Sequence, residues 1–187
     1  GGHHVRCLAR TADKLDAEPW RAEVEVVAGD VLDVESLAAA FRETDAAYYL
    51  VHSIGSQPDW RTRDRTAAEN FRDAAAAADL EQIVYLGGLG DDEGGTLSPH
   101  LASRHEVGRI LAAGRVPLTE LRAAVVIGSG STSFEMLRHL VEVLPVMTTP
   151  RWVEKRVQPI AVRDVRAYLT GVLGNAELLR ASVPEAD

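Results

Sequence analysis

The sequence predicts an α/β fold built on a doubly wound parallel sheet. Five short apolar runs, at residues 5–9, 24–28, 46–51, 83–86 and 121–127, each close on a small or polar residue. Runs of this kind are typical of strands buried on both faces of a parallel sheet. Ligands bind at the carboxyl ends of such strands, so the closing residues indicate a nucleotide-type crevice. They are Arg10, Gly29-Asp30, His52-Ser53, Gly87-Gly88 and Gly128-Ser129-Gly130.

The segments between the runs predict helices. Asp33 is a suitable N-cap for a helix over residues 34–43, and a long helix is predicted from residue 60 to about residue 79. Alternating Arg and Asp side chains in the first turns of the long helix indicate a solvated face. Further helices are expected at 99–113, 131–144 and 163–173, and a short strand at 157–162. Because no repeat or linker is visible, residues 1–187 are interpreted as a single domain.

Composition limits the classes of partner. Of the 187 residues, 46% are hydrophobic and 26% are charged, which is usual for a globular domain. The net charge of −8 argues against nucleic acid or an anionic membrane as a partner, since both need clustered Lys and Arg. No apolar run approaches the roughly 20 residues that span a bilayer. The single cysteine, Cys7, cannot form a disulfide within the chain, which fits a cytoplasmic location.

One unit of the expected sheet is missing from the pattern. In a dinucleotide-binding sheet of order 3-2-1-4-5-6, the central first strand leads through a Gly-rich turn into a helix whose N-terminus holds the pyrophosphate. No such turn precedes the first apolar run here. Without that strand, backbone groups would be unpaired on both sides of the middle of the sheet. We therefore expect the natural protein to carry about 20–30 further residues upstream, forming a strand-turn-helix unit.

Strings along nearly the whole chain resemble the extended and atypical short-chain dehydrogenase/reductases. They include VVAGDVLDVESLAAAF, AAYYLVHSIG, IVYLGGLGDD and VPLTELRAAVVIGSGSTSFEML. The resemblance is to a bacterial group of NmrA-like, NAD(P)-binding proteins that includes oxidoreductases and nucleoside-diphosphate-sugar epimerases. It implies a Rossmann-type sheet, lacking its first strand-turn-helix unit here, and an NAD(P) cofactor.

The first two strand ends carry expected contacts with the adenosine half of the cofactor. Arg10 closes the strand whose end meets the adenosine ribose, and an Arg there suits the 2′-phosphate of NADP(H) better than an NAD(H) ribose. The alternative is a surface arginine in a polar turn. The resemblance implies that Asp30 accepts a hydrogen bond from adenine and that the backbone of Val31 packs on the ring. The alternative for Asp30 is a local turn cap.

The remaining expected cofactor contacts come from later strand ends. His52 ends a strand that passes beneath the cofactor phosphates in relatives, although a lone histidine is more often packed or solvated. The resemblance implies further contacts along the backbone. These residues are Val51, Ser53, Gly87, Ala123, Ala124 and Val125.

The catalytic residues of the resembled family are replaced in this chain. Where those enzymes carry Tyr-x-x-x-Lys, the matching spacing holds His100 and Arg104. Arg104 keeps the positive charge, and His100 has a reference pKa of about 6.5 that suits acid/base chemistry. The strand that would end in a catalytic serine ends in Gly87-Gly88. His105 is a second proton-donor candidate, but helix-surface histidines are the favoured interpretation. No metal site is predicted, because the histidines are not grouped at ligand spacing.

Two functional hypotheses follow. The first is an NAD(P)-dependent oxidoreductase, with NADP(H) preferred over NAD(H), acting on a small molecule with His100 or water handling the proton. The second is a regulatory, dinucleotide-sensing protein that binds the cofactor without turnover. The altered Ser-Tyr-Lys set favours the second. Homo-oligomer formation is left open by the sequence.

Overall fold

Strands and helices alternate along the chain in the computed structural model. It describes residues 2–53, 59–90, 97–128 and 158–175, together with 135, 138, 139, 142 and 178. The predicted α/β class is confirmed; the helix predicted at 131–144 lies largely outside the described residues. In chain order the elements are β1 (Arg6–Ala9), β2 (Glu25–Ala28), α1 (Val34–Ala40), β3 (Ala46–Tyr49), α2 (Trp60–Ala77), β4 (Gln82–Gly88), α3 (Pro99–Ala112), β5 (Leu118–Ala123), β6 (Val125–Ile127), β7 (Pro159–Ala161) and α4 (Val162–Gly171).

Every described strand pair is parallel, as predicted. The strands form three ladders of order β1-β2, β3-β4-β5 and β6-β7. Among the described strands, none pairs with β1 on its other side or lies between β1 and β3. The expectation of an additional strand-turn-helix unit and the interpretation of residues 1–187 as one domain both stay predictions.

Alternate side chains along β3 and β4 contact helices on opposite faces of the sheet. Tyr49 and Tyr85 are adjacent on β3 and β4 and belong to the main hydrophobic cluster with α1, α2 and α3. On the opposite face, the Tyr48 hydroxyl donates to the Leu169 carbonyl of α4 at 2.8 Å. The buried Gln82 amide donates to the Val172 carbonyl at 3.0 Å on that same side. Successive residues therefore face opposite helical layers, as a doubly wound sheet requires.

Helix and strand ends differ from the sequence-based bounds for identifiable reasons. Asp33 is the predicted N-cap of α1, and its side chain accepts the Glu35 N–H at 3.0 Å. Helix α2 ends at Ala77 rather than near residue 79, because Asp79 adopts φ +55° and the Leu80 N–H bonds back to the Ala75 carbonyl at 3.1 Å. That pattern is a Schellman-type helix end.

Strand β5 begins three residues earlier than the apolar run predicted. The polar residues Thr119 and Glu120 interrupt the apolar pattern, yet they are only 0% and 7% exposed. Thr119 is accommodated because it accepts a hydrogen bond from the Gln82 amide at 2.9 Å and donates to the Leu178 carbonyl at 3.0 Å. The predicted single strand over 121–127 is in fact divided between β5 and β6.

Phe71 of α2 joins two layers of the core. Its ring makes edge contacts with Phe41 at 5.0 Å and with Tyr49 at 4.9 Å between centroids. We expect Phe71→Ala to lower the free energy of unfolding by about 3–5 kcal/mol, because it leaves a cavity between α1, α2 and β3. Chemical denaturation measures the change. Tyr168→Ala on the exposed face of α4 is the control and should change it by less than about 0.5 kcal/mol; equal losses would contradict the assignment of Phe71 to the core.

Candidate functional site

A cavity of about 500 Å³ lies at the carboxyl ends of β1, β2 and β3. This volume falls within the range of about 300–1,000 Å³ that is usual for ligand pockets. The ends of the three strands and the first turns of α2 form its walls. The lining residues are Leu8, Arg10, Gly29, Asp30, Val31, Leu32, Val51, His52, Ser53, Trp60, Arg63 and Ala67.

The cavity brings together most of the residues predicted to contact a cofactor. Arg10 enters from β1, Asp30 and Val31 from the loop after β2, and residues 51–53 from the end of β3. More than 40 positions of the sequence separate the first of these residues from the last. Their convergence is therefore a consequence of the parallel sheet. The four other predicted contacts do not line the cavity. They are Gly87, Ala123, Ala124 and Val125.

The loop after β2 is held in place by three hydrogen bonds. The Asp30 Oδ1 atom accepts the Leu32 N–H at 3.0 Å, so Asp30 does make the local turn contact considered from the sequence. From α2, the Asn70 side-chain amide donates to the carbonyls of Val31 and Leu32 at 3.3 and 3.1 Å. Asn70 could not be assigned to this loop from the sequence, because its role depends on how α2 packs.

Gly29 is required by the close packing of α1 against the cavity wall. A Cβ at this position would lie 2.7 Å from Ser36 Cβ and 2.8 Å from Leu8 Cδ1. Contacts this short force movement of the helix or the loop. The glycine after β2 therefore permits α1 to approach the sheet, beside the loop that carries Asp30.

We expect Gly29→Ala to destabilise the protein by about 1–3 kcal/mol, because its methyl group overlaps Ser36 on α1. Thermal denaturation measures the effect, and Gly29→Ala combined with Ser36→Gly should recover part of the loss. Gly171→Ala is the matched control, since a Cβ there meets nothing within 4 Å. A neutral Gly29→Ala variant would show that the loop yields without cost.

The end of β3 is fixed by the buried carboxylate of Asp64. Its Oδ1 atom accepts the Ser53 N–H at 2.8 Å, and its Oδ2 atom accepts the Ser103 hydroxyl at 3.2 Å. Asp64 is only 6% exposed, so the interpretation of this turn of α2 as a wholly solvated face was wrong. The missed signal was spacing: Asp64 stands three, four and seven residues before the apolar Ala67, Ala68 and Phe71.

The first turn of α3 places His100 beside the cavity wall. Its ring centroid lies 6.4 Å from that of Trp60, which lines the cavity. Although the residue remains solvent-exposed, partial burial lowers the pKa of His100, and the positive charge of Arg104 and the nearby His52 lower it further. A neutral imidazole is therefore favoured at neutral pH.

Arg104 and His105 make contacts at the end of β4. The Arg104 guanidinium donates to the Leu86 carbonyl and lies 5.3 Å from the centre of the Tyr85 ring. The Tyr85 hydroxyl donates to the Arg104 carbonyl at 2.9 Å, and burial raises the pKa of Tyr85 to about 12. His105 is 2% exposed, with Nε2 3.0 Å from the Gly88 carbonyl oxygen. The surface interpretation of His105 is therefore wrong.

We expect Arg104→Gln to raise the pKa of His100 toward its reference value of about 6.5 without reaching it, because burial, the larger cause, remains. Proton NMR titration of the His100 ring measures the shift. Arg109→Gln, at an exposed position on the same helix, should leave it unchanged. Because the folded state lowers this pKa, the stability that His100 contributes is present above pH 6.5 and is lost as the pH falls through its folded pKa. An unchanged pKa in Arg104→Gln would contradict the electrostatic assignment.

The predicted contacts outside the cavity lie at the β4–β5 pair and beyond it. Gly87 leaves room for the Glu120 carboxylate, since a Cβ there would lie 2.6 Å from Glu120 Oε1. Ala123 is the register partner of Gly88, Ala124 follows β5, and Val125 begins β6. Their predicted backbone contacts with a cofactor stay predictions.

Within the described residues, no group of three or more His, Cys, Asp or Glu side chains could hold a metal ion. No helix in the same part of the chain is both long and apolar enough to cross a membrane.

The fold and the cavity define a Rossmann-type domain with its ligand crevice at the carboxyl ends of parallel strands. The model of the NAD(P)H-binding family matches residues 1–131. The chain therefore belongs to the NAD(P)H-binding family. No curated protein matches it in a sequence search.

Solved structures support the same fold. Triphenylmethane reductase from Citrobacter sp., complexed with NADP(H), is 25% identical with a TM-score of 0.57, and the alignment covers 73% of this chain and 45% of the reductase. A short-chain dehydrogenase/reductase superfamily protein from Agrobacterium tumefaciens with bound NAD is 15% identical, with a TM-score of 0.72 and coverage of 95% and 68%. A nucleoside-diphosphate-sugar epimerase from Staphylococcus aureus is 19% identical, with a TM-score of 0.71 and coverage of 93% and 58%. The chain thus spans less than half the length of the Citrobacter reductase.

Proposed function

We propose that this chain forms the cofactor-binding part of an oxidoreductase that uses NADP(H) in preference to NAD(H). The observation that carries the proposal is the placement of Arg10 and Asp30 on one cavity, from the ends of the paired strands β1 and β2. A cation and a hydrogen-bond acceptor at these two strand ends suit a 2′-phosphorylated adenosine. The NADP(H) complex of the Citrobacter reductase supports the choice of cofactor.

Each cavity wall has a distinct role in this proposal. Arg10 binds the 2′-phosphate, and the Asp30 carboxylate accepts from the adenine amino group while its Oδ1 atom also retains the Leu32 N–H. Val31 packs on the adenine ring. The backbone of residues 51–53, held by Asp64, lies beneath the rest of the cofactor.

The reaction is a two-electron reduction of a small organic molecule. When bound, the cofactor would supply a hydride, and one proton would complete the reduced product. His100 or water handles that proton, since His100 stands next to the cavity residue Trp60. Because the chain is similar to triphenylmethane reductase, triphenylmethane dyes are tested as acceptors beside quinones and carbonyl compounds.

A cytoplasmic location and the exclusion of nucleic-acid and membrane partners are parts of the same proposal.

A dinucleotide-sensing function is the second candidate, and one feature of β4 favours it. The strand ends in Gly87-Gly88, so no side-chain hydroxyl is available there to polarise a carbonyl. The adjacent Arg104 guanidinium is bonded to the Leu86 carbonyl. A protein of this kind would bind the cofactor and report its presence to a partner without turnover.

Calorimetric titration and a turnover assay test the proposal together. We expect the protein to bind NADPH more tightly than NADH, and Arg10→Gln to weaken NADPH binding by about 10- to 100-fold through loss of a charge-assisted hydrogen bond. The same variant should leave NADH binding unchanged. Arg166→Gln removes the same charge from the exposed face of α4 and serves as the control.

The outcomes separate the two candidates. Oxidation of NADPH in the presence of one acceptor class, slowed in His100→Ala, supports the oxidoreductase. Tight NADPH binding with no turnover across the acceptors supports sensing. If the protein binds neither dinucleotide, both candidates fail.

A further inference from the structure

Arg63 is a half-buried cation with no partner among the described residues. Its backbone N–H bonds to the Asp59 carbonyl, but its guanidinium makes no hydrogen bond or ion pair within the described part of the chain. The other half-buried arginines described all have polar partners. These are Arg6, Arg21, Arg72 and Arg104.

The position of Arg63 at the cavity explains why its guanidinium has no protein partner among the described residues. Arg63 lines the cavity together with Arg10, and among the described lining residues Asp30 is the one carboxylate. The described part of the lining therefore carries two guanidinium groups and one carboxylate in a chain of net charge −8. A partly buried charge without a protein partner is costly unless water or a ligand of opposite charge complements it. The charge balance of the cavity thus favours an anion.

The position of Arg63 along α2 identifies which part of a ligand it meets. Asn70 of the same helix holds the loop that carries Asp30 and Val31, which marks the adenine end. Trp60, near His100, marks the opposite end. At 1.5 Å per residue, Arg63 lies about 4.5 Å along the helix from Trp60 and about 10 Å from Asn70. It stands between the two ends, where the diphosphate joins the two nucleosides of a dinucleotide.

We infer that Arg63 binds the diphosphate of the dinucleotide, as a site separate from the 2′-phosphate contact of Arg10. This inference rests on the proposed function. Guanidinium groups suit the task because their planar donors match phosphate oxygens in pairs. Since NADH and NADPH share the diphosphate, Arg63 contributes to binding of both, whereas Arg10 discriminates between them.

Three probes and matched variants test the site. Inorganic diphosphate, NADH and NADPH are titrated calorimetrically into the wild type, Arg63→Gln, Arg63→Lys and Arg109→Gln. We expect Arg63→Gln to weaken all three ligands by a similar factor of about 10 to 100. Arg63→Lys, which keeps the charge, should recover part of the loss. Arg109→Gln removes an exposed arginine from α3 and should have no effect.

The outcomes distinguish failure of the inference from failure of the proposed function. Dinucleotide binding that is unchanged in Arg63→Gln overturns the inference and leaves the function standing. A loss for NADPH alone also overturns it, because Arg63 would then contact the 2′-phosphate. Arg63-dependent binding of diphosphate without binding of either dinucleotide supports the anion site and rejects the function. If the wild type does not bind diphosphate, the inference fails.

A stability control completes the test. Arg63 has no bonded partner in the described structure, so Arg63→Gln should retain the melting temperature of the wild type. A large fall in melting temperature would assign Arg63 a structural role and overturn the inference.

Discussion

The carboxylate of Asp64 connects the elements that form the cavity. It accepts the Ser53 N–H at the end of β3 and the Ser103 hydroxyl on α3, while its own backbone belongs to α2. A buried charge is tolerated only when hydrogen bonds replace its water. Both carboxylate oxygens of Asp64 have such a bond, and together they fix the strand end to two helices. Burial, with Asp64 as the next cause, raises the pKa of Tyr49 on the same strand.

Helix α2 has three rows of residues at helical spacing, and each row makes different contacts. Phe71, Ala74 and Ala75 are buried in the core. Asp64 and Asn70 bond to the strand ends on either side of the cavity. A third row, which includes Trp60, Arg63 and Ala67, faces the cavity itself. The same packing that buries the apolar face therefore sets the distance between the loop after β2 and the end of β3.

How far the sequence predicts the structure depends on whether each contact is local. The strand ends at Arg10, Asp30 and His52 could be assigned from short apolar runs, because parallel strands bring their carboxyl ends together whatever lies between them. The cap at Asp33 is equally local. The contribution of α2 was missed, because Arg and Asp at adjacent positions suggest a solvated turn and only the spacing of Asp64 from the apolar residues after it indicates burial. The start of β5 was missed because Thr119 and Glu120 are polar residues, and the burial of Thr119 depends on Gln82 in a distant segment.

The electrostatics of α3 bear on the direction of any chemistry at this site. Partial burial and the charge of Arg104 both favour the neutral form of His100. A neutral imidazole accepts a proton far more readily than it gives one, so at neutral pH His100 suits the role of a base. In the proposed reduction, a neutral His100 would take a proton from water at one ring nitrogen and pass one on from the other. The charge of Arg104 thus acts on the pKa of its neighbour at every physiological pH, because a guanidinium is not deprotonated.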